Sequence, residues 1–299
     1  MSISIIGVDH YMATQARSIC LGSFDGVHLG HQALLKQADF MLTFDPHPKQ
    51  VLAPETTIER LTFPNEQHIF FPNQLIVPFT KVVAQMPAID FLNHGIGPLQ
   101  PKKIVVGADF KFGRYGKGGA TLLKEWGAIN RCTIDVVQIQ YHSQALPYKS
   151  SIIRTMLKAD PNQALELLGH PYLMIGTVVP GNRKGREMGV PTANLQVPDN
   201  KCLPAYGVYA SYVVIDGCNY PSITNIGVKP TFSDHTPSIE THILDSFSEH
   251  IYHQQIQLFL LHFIRPEQAF SSESALVSQM QQDIIQVNQY HQMHPQIVS

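Results

Sequence analysis

Residues 18–31 read SICLGSFDGVHLGH, and this stretch decides the fold of the first half of the chain. Ser18 to Gly22 is a short apolar run ending in glycine, the mark of a strand that closes on a turn. Gly26 lets a second turn present backbone N–H groups to a ligand, and Leu29 then opens a helix. Strand, glycine-rich turn and helix in that order begin a parallel α/β unit. Further apolar runs follow at 40–44 (FMLTF), 73–77 (NQLIV), 103–107 (KIVVG) and 133–139 (TIDVVQI), with helical or loop segments between them. The pattern predicts a parallel sheet whose ligand sits beyond the carboxyl ends of its strands. Its connections are short. About ten residues run from Leu29 to Phe40, near the minimum of roughly 10–12 for a βαβ crossover. Short helices and a thinly covered sheet face are therefore expected.

The second half has another rhythm. Residues 172–179, 207–215, 220–226, 238–244 and 256–264 are β-rich, with Gly, Pro, Asn and Asp between them. Five or six strands with little helix predict a closed or nearly closed antiparallel barrel. One amphipathic helix follows Ser271, its expected N-cap, with Leu276, Met280, Ile284 and Ile285 at helical spacing. Residues 288–299 are polar and expected to fray. Residues 155–168 read as a helical connector, which places a domain boundary at 169/170 and gives domains 1–169 and 170–299.

The chain has 299 residues, 44% hydrophobic and 15% charged, with a formal net charge of −2. That is a globular composition without the basic surface that nucleic acid or an anionic membrane would require. No apolar stretch approaches the roughly 20 residues of a membrane span, and the N-terminus lacks a basic leader. Cys20, Cys132, Cys202 and Cys218 are scattered without a C-x-x-C pair, so they read as reduced thiols of a cytoplasmic protein rather than a zinc site.

Two constellations carry chemistry. In the first, His28 and His31 lie three apart at the start of a helix, where both can face one phosphate. The same residues are also compatible with a plain glycine-rich turn bearing two exposed histidines. Lys149, Ser150, Ser151 and Arg154 are expected to precede a second helix and offer hydroxyls and charge for phosphates, or simply cap it. In the second constellation, residues 181–195 read GNRKGREMGVPTANL. Gly181, Lys184, Gly185 and Arg186 form an expected phosphate loop, followed by Pro191, with Thr192 and Asn194 supplying oxygens suited to Mg²⁺. A solvated basic hairpin is the alternative. There is no G-x-x-x-x-G-K-[ST] sequence, which excludes a P-loop kinase. Glu240, on the strand SIETHIL, is either a carboxylate in a barrel mouth or an ordinary solvent-facing residue.

These strings resemble a known family. GSFDGVHLGH at 22–31, TFDPHP at 43–48, VVGADFKFG at 105–113 and KSSIIR at 149–154 are similar to the motifs of HxGH nucleotidylyltransferases. More narrowly, they resemble the FMN adenylyltransferase half of bifunctional prokaryotic riboflavin kinase/FAD synthetases. Residues 170–285 resemble the riboflavin kinase half, through GRxxGxPTAN at 185–194, LPxxGVY at 203–209, NIGxxPTF at 225–232 and IETHILD at 239–245. The resemblance implies a Rossmann-like nucleotidylyltransferase domain followed by a six-stranded riboflavin kinase barrel with a C-terminal helix.

It also implies roles. His28 and His31 would act on the phosphates in adenylyl transfer. Gly22, Phe24, Asp25, Gly26, Ser150, Ser151 and Arg154 would bind ATP there, with His47, Asp109 and Phe112 on the flavin. In the kinase half, Thr192 and Asn194 would ligate Mg²⁺ carried by ATP, Glu240 would be the base, and Arg265 would contact flavin. Riboflavin, FMN and ATP are the implied partners, with no nucleic acid and no membrane. Competing readings are a kinase alone with a decayed first domain, and a flavin-binding protein without turnover.

Overall fold

The structure is a computed structural model that describes residues 3–14, 17–138, 141–142, 146–181, 190–230, 235–245 and 251–295. Lys184, Gly185 and Arg186 lie outside the described residues. The chain divides into two compact units, Met1–Ile152 and Ile153–Ser299. No helix among the described residues is long and apolar enough to cross a membrane.

The first unit is built on a parallel sheet of β1 (Ser18–Leu21), β2 (Phe40–Asp45), β3 (Gln74–Pro78), β4 (Lys103–Gly107) and β5 (Thr133–Val137). Their order is β3-β2-β1-β4-β5, so the winding reverses between β1 and β4. A reversal of this kind opens a crevice at the carboxyl ends of the two central strands. Alternation along the strands separates two cores. Ile19, Leu21, Phe40, Leu42, Ile104 and Val106 join the larger cluster with Leu92, Leu99 and Trp126. Cys20, Met41 and Val105 face a smaller one with Phe24, Val27 and Leu35.

The helices are as short as the sequence requires: α1 (Val8–Ala13), α2 (Leu29–Leu35), α3 (Pro48–Leu52), α4 (Pro64–Phe70), α5 (Lys81–Gln85) and α6 (Ala88–Phe91). The seven residues of α2 and its return suffice, for Ile19 pairs in register with Phe40. The longer α7 (Ala120–Asn130) buries Leu123 and Trp126.

Helix α8 (Ser150–Ala159) leads into the second unit, and α9 (Pro161–Leu168) is capped by Asp160 and ended by Gly169 in the left-handed region. Both pack on the barrel. Ala205 N donates to Leu157 O at 2.8 Å, and Asn162 exchanges two hydrogen bonds with the Phe263 backbone at 2.8 and 3.2 Å.

The barrel strands are β6 (Tyr172–Val179), β7 (Ala193–Gln196), β8 (Gly207–Ile215), β9 (Cys218–Pro230), β10 (His235–Ile243) and β11 (Gln255–Pro266). They close antiparallel in the order β10-β7-β6-β11-β8-β9. Closure removes the exposed edges an open sheet would leave. A buried hydroxyl chain crosses three strands, with Ser211 bonded to Ser222 (2.8 Å) and Thr224 (2.7 Å), and Thr224 to Thr241 (2.9 Å).

The final helix, α10, runs Glu273–Met293. Its N-cap is Ser272, whose hydroxyl accepts from Ala275 N, rather than Ser271. It also continues through residues expected to fray, because Val287 and His291 are buried and His291 meets the Tyr212 ring edge-on at 4.6 Å. Packing overrides the polar composition there.

Candidate active sites

The first candidate site is the loop between β1 and α2. Phe24 (φ 47°), Gly26 (φ 89°) and Val27 (φ 40°) all have left-handed backbones, an arrangement that glycine tolerates and a β-branched valine does not favour. The Phe24 ring lies against Gly22, where a Cβ would stand 3.0 Å from it. His28 caps α2, its Nδ1 accepting from His31 N at 3.3 Å. The two imidazoles stack with centroids 3.6 Å apart and planes inclined by 17°. His31 Nδ1 is buried without a hydrogen-bond partner among the described residues. Burial, helped by the adjacent His28, holds the His31 pKa well below its ordinary value. The pair is thus brought together, one ring bonded to backbone and the other poised neutral.

Asp25 and Gly26 are turned inward. Asp25 Oδ1 accepts from Leu61 N and Thr62 N, each at 2.9 Å, and Gly26 N donates to Thr62 Oγ1 at 2.8 Å. That amide is therefore engaged by a residue outside the loop. Ser150 Oγ donates to Asp25 O at 2.8 Å, which ties the start of α8 to the same turn. Ser151 and Arg154 lie on α8, on its exposed and partly buried sides respectively.

Residues at the carboxyl ends of the strands take different positions. His47 is buried at the start of α3, where its Nδ1 accepts from Lys49 N and its backbone N–H donates to Gln50 Oε1. Asp109 is exposed just beyond β4. Phe112 packs into the core against Phe91 and Phe110, at 5.9 and 5.7 Å between centroids, so its ring is structural in this arrangement.

The second candidate site is a cavity of about 310 Å³ in the barrel unit. Thr192 and Glu240 stand on its polar side, and Phe270, Leu276, Met280 and Ile284 form its apolar wall. Register explains the meeting: Glu240 lies across from Asn194 of β7 and from Asn225 of β9. His242 Nδ1 bonds Pro191 O at 2.7 Å, which assigns that nitrogen as the donor and fixes the turn leading into β7. Asn194 is 7% exposed and lies against Gly181, where any Cβ would overlap its amide. Arg265 borders the cavity, but its guanidinium is engaged: Nε and Nη2 hold both Asp283 oxygens at 2.9 and 2.7 Å, and Nη1 donates to Pro266 O at 2.9 Å.

Comparison with known proteins matches both units. The riboflavin kinase family model covers residues 168–291, and the FAD synthetase model covers 11–150. The bifunctional riboflavin kinase/FMN adenylyltransferase of Listeria monocytogenes is 33% identical over 282 residues, covering 89% of each chain. That of Bacillus subtilis is 34% identical, over 90% of this chain and 91% of its own. This chain belongs to the bifunctional riboflavin kinase/FMN adenylyltransferase family. The Escherichia coli member is 32% identical over 91% of this chain and 92% of its own. A crystal structure titled as a macrolide-efflux protein from Streptococcus pneumoniae matches with a TM-score of 0.80 at 29% identity, covering 92% of this chain and 95% of that one.

Within this member of the family, sequence reasoning missed three things. Strand β7 is only four residues long, too short to register as an apolar run. Asp283 is the partner of Arg265 from 18 residues away, and its only local signal is Gln279, four residues earlier, whose amide donates to it at 2.9 Å. Thr62 and Gln67, which hold the β1–α2 loop, sit 36 and more residues from it.

Proposed function

We propose that the barrel unit phosphorylates riboflavin at the cavity between Glu240 and α10, and that the first unit adenylylates FMN at the His28–His31 loop. The chain carries both a riboflavin kinase and a FAD synthetase domain and is a transferase of flavin cofactor synthesis. Enzymes of this family use ATP and typically a divalent metal. The observation that carries the kinase assignment is the cavity itself, whose lining combines Glu240 with the apolar side chains of Phe270, Leu276, Met280 and Ile284, while another carboxylate there, Asp283, is engaged by Arg265. Ligand pockets of roughly 300 Å³ and more have this make-up, apolar walls with a few convergent polar groups. The isoalloxazine ring would lie on Leu276, Met280 and Ile284, with the ribityl chain directed to Glu240.

Glu240 would accept the proton of the terminal ribityl hydroxyl as that oxygen bonds to the γ-phosphorus and ADP leaves. Among the described residues no three His, Cys, Asp or Glu side chains converge as a metal cage. Neutral oxygens of Thr192 and Asn194 fit an ion that arrives with the nucleotide, because Mg²⁺ needs few protein ligands when phosphates and waters complete its shell. When bound, the ion would neutralise charge on the phosphates. Arg265 is assigned to holding α10 in place, and Lys184, Gly185 and Arg186 to the phosphates.

In the first unit an FMN phosphate oxygen would bond to the α-phosphorus of ATP as pyrophosphate leaves. His28 and His31 would donate to the phosphate oxygens where charge develops, while Ser151 and Arg154 would contact the nucleotide. His47 and Asp109 would border the flavin. A reducing, cytoplasmic setting is supported by free thiols at Cys20, Cys132, Cys202 and Cys218.

The test is incubation of the full chain with riboflavin, ATP and Mg²⁺, followed by separation of the flavins. FMN and FAD are both expected. In Glu240→Gln, FMN formation should fall by roughly 10²–10⁴-fold, while FAD formation from supplied FMN persists. Near-normal FMN production by that variant would remove Glu240 from the reaction.

A further inference from the structure

We infer that the segment Arg60–Gln67 is a brace that sets the conformation of the His28–His31 loop, with Thr62 and Gln67 as positioning residues for adenylyl transfer; this rests on the adenylyl reading above. The starting observation is the strained backbone at Phe24 and Val27. Non-glycine residues persist in that region only when their surroundings over-determine them. Within the loop and the start of α2, Val27 N donates to Phe24 O at 3.0 Å, Gln32 Nε2 to Val27 O at 3.0 Å and His31 N to His28 Nδ1 at 3.3 Å.

Thr43 Oγ1 also donates to Ser23 O at 3.2 Å and Ser150 Oγ to Asp25 O at 2.8 Å, and one distant segment adds a concentrated set. Leu61 N and Thr62 N hold the Asp25 carboxylate, and Thr62 Oγ1 receives Gly26 N. Gln67 Nε2 reaches Ser23 O at 3.1 Å and Phe24 O at 3.2 Å. Asp25, Thr62 and Gln67 are each at most 1% exposed, so these bonds do not compete with water.

The brace is itself anchored. Phe63 N donates to Glu66 Oε2 at 2.9 Å at the start of α4, and the buried Arg60 pairs with Asp45 at the end of β2 at 2.9 Å. The loop after β1 is thereby fixed to the end of β2. Its conformation decides where Val27 delivers His28, and hence where the stacked imidazoles stand. Small displacements of groups aimed at a reacting phosphate cost rate steeply.

The experiment uses the full chain. Thr62→Val keeps the shape and removes the acceptor of Gly26 N; Gln67→Met removes the amide, and Thr62→Ser restores the oxygen. Three quantities are read: kcat and KM for ATP in FAD formation from FMN, hydrogen exchange of peptides spanning 22–32, and riboflavin phosphorylation. Thr62→Val and Gln67→Met should lower kcat by roughly 10–100-fold with a smaller change in KM, and should speed exchange in 22–32 selectively. Riboflavin phosphorylation should stay near wild type, and Thr62→Ser should recover most of the lost rate.

Unchanged exchange in 22–32, or unchanged kcat, in both variants overturns the proposal. Exchange accelerated equally across the whole first unit makes the segment a stability element alone and also overturns it. A wild type that makes no FAD would sink the adenylyl reading, while selective exchange would still support the brace. If Thr62→Val is insoluble, Gln67→Met alone carries these outcomes: a selective rise in exchange over 22–32 with a lowered kcat supports the brace, and the absence of either overturns it.

Discussion

Burial and the neighbouring His28 imidazole lower the His31 pKa, and that shift links protonation to folding. The unfolded chain takes up a proton at this residue near the usual histidine value of about 6.5, whereas the fold resists it. Stability of the first unit should therefore fall as pH drops below about 6.5 and go on falling to the lowered value. Thermal melts between about pH 7.5 and 5 should show this decline, with a flatter one in His31→Gln; identical slopes would place the effect elsewhere. A second residue-scale prediction concerns Gly181, against which the Asn194 amide lies. Gly181→Ala must displace Asn194, so Mg²⁺–ATP affinity should fall about tenfold or more, while riboflavin binding without nucleotide is kept. Calorimetric titration that finds both affinities unchanged would detach Asn194 from the metal–nucleotide site. The motif spacing made His28, His31, Thr192 and Asn194 legible as candidates. What each nitrogen or amide touches was not, since those partners lie in other elements.

At the scale of elements, α10 contributes Leu276, Met280 and Ile284 to the barrel cavity, and named contacts hold it in place. The Arg265–Asp283 fork holds its middle, and farther along Tyr290 stacks on His262 of β11 at 5.1 Å, while His294 at the helix's own C-cap stacks back on Tyr290 at 4.3 Å. Asp283 is 4% exposed and Arg265 19% on their side chains. Asp283→Ala would strand a largely buried cation and should cost about 2–3 kcal/mol, below the full buried-pair figure because Arg265 retains some water. Asp283→Asn should cost less. In both, KM for riboflavin should rise with FAD formation from FMN unaffected; chemical denaturation and kinetics together check this. An unchanged KM in a destabilised Asp283→Ala would separate α10 from flavin binding. The apolar spacing of Leu276, Met280 and Ile284 announced the helix. Its N-cap at Ser272 and its length to Met293 did not follow from composition, because they depend on what packs against Val287 and His291.

For the whole molecule, the connector is the informative region. Helices α8 and α9 bond to the barrel through Leu157 and Asn162. A fragment beginning at Ser150 should fold alone and phosphorylate riboflavin, since a closed barrel needs no further sheet. One beginning at His170 orphans the Ala205 and Phe263 N–H groups, worth about 1–3 kcal/mol each, and should melt lower by roughly 5–10 °C. Equal melting temperatures for the two fragments would show the helices to be dispensable.

Strand periodicity, glycine-rich turns and motif order determined the two-part architecture, for these are local properties with a spacing that can be read along the chain. The family likeness was legible in the same strings, from GSFDGVHLGH to IETHILD. Tertiary structure alone decided that Asp25 faces inward, that Arg265 serves Asp283, that four residues at Ala193–Gln196 complete a barrel, and that Thr62 and Gln67 hold a loop 36 or more residues away. Each of those outcomes depends on a hydrogen bond or pairing between distant positions, and no local pattern records which distant partner a buried polar group will find.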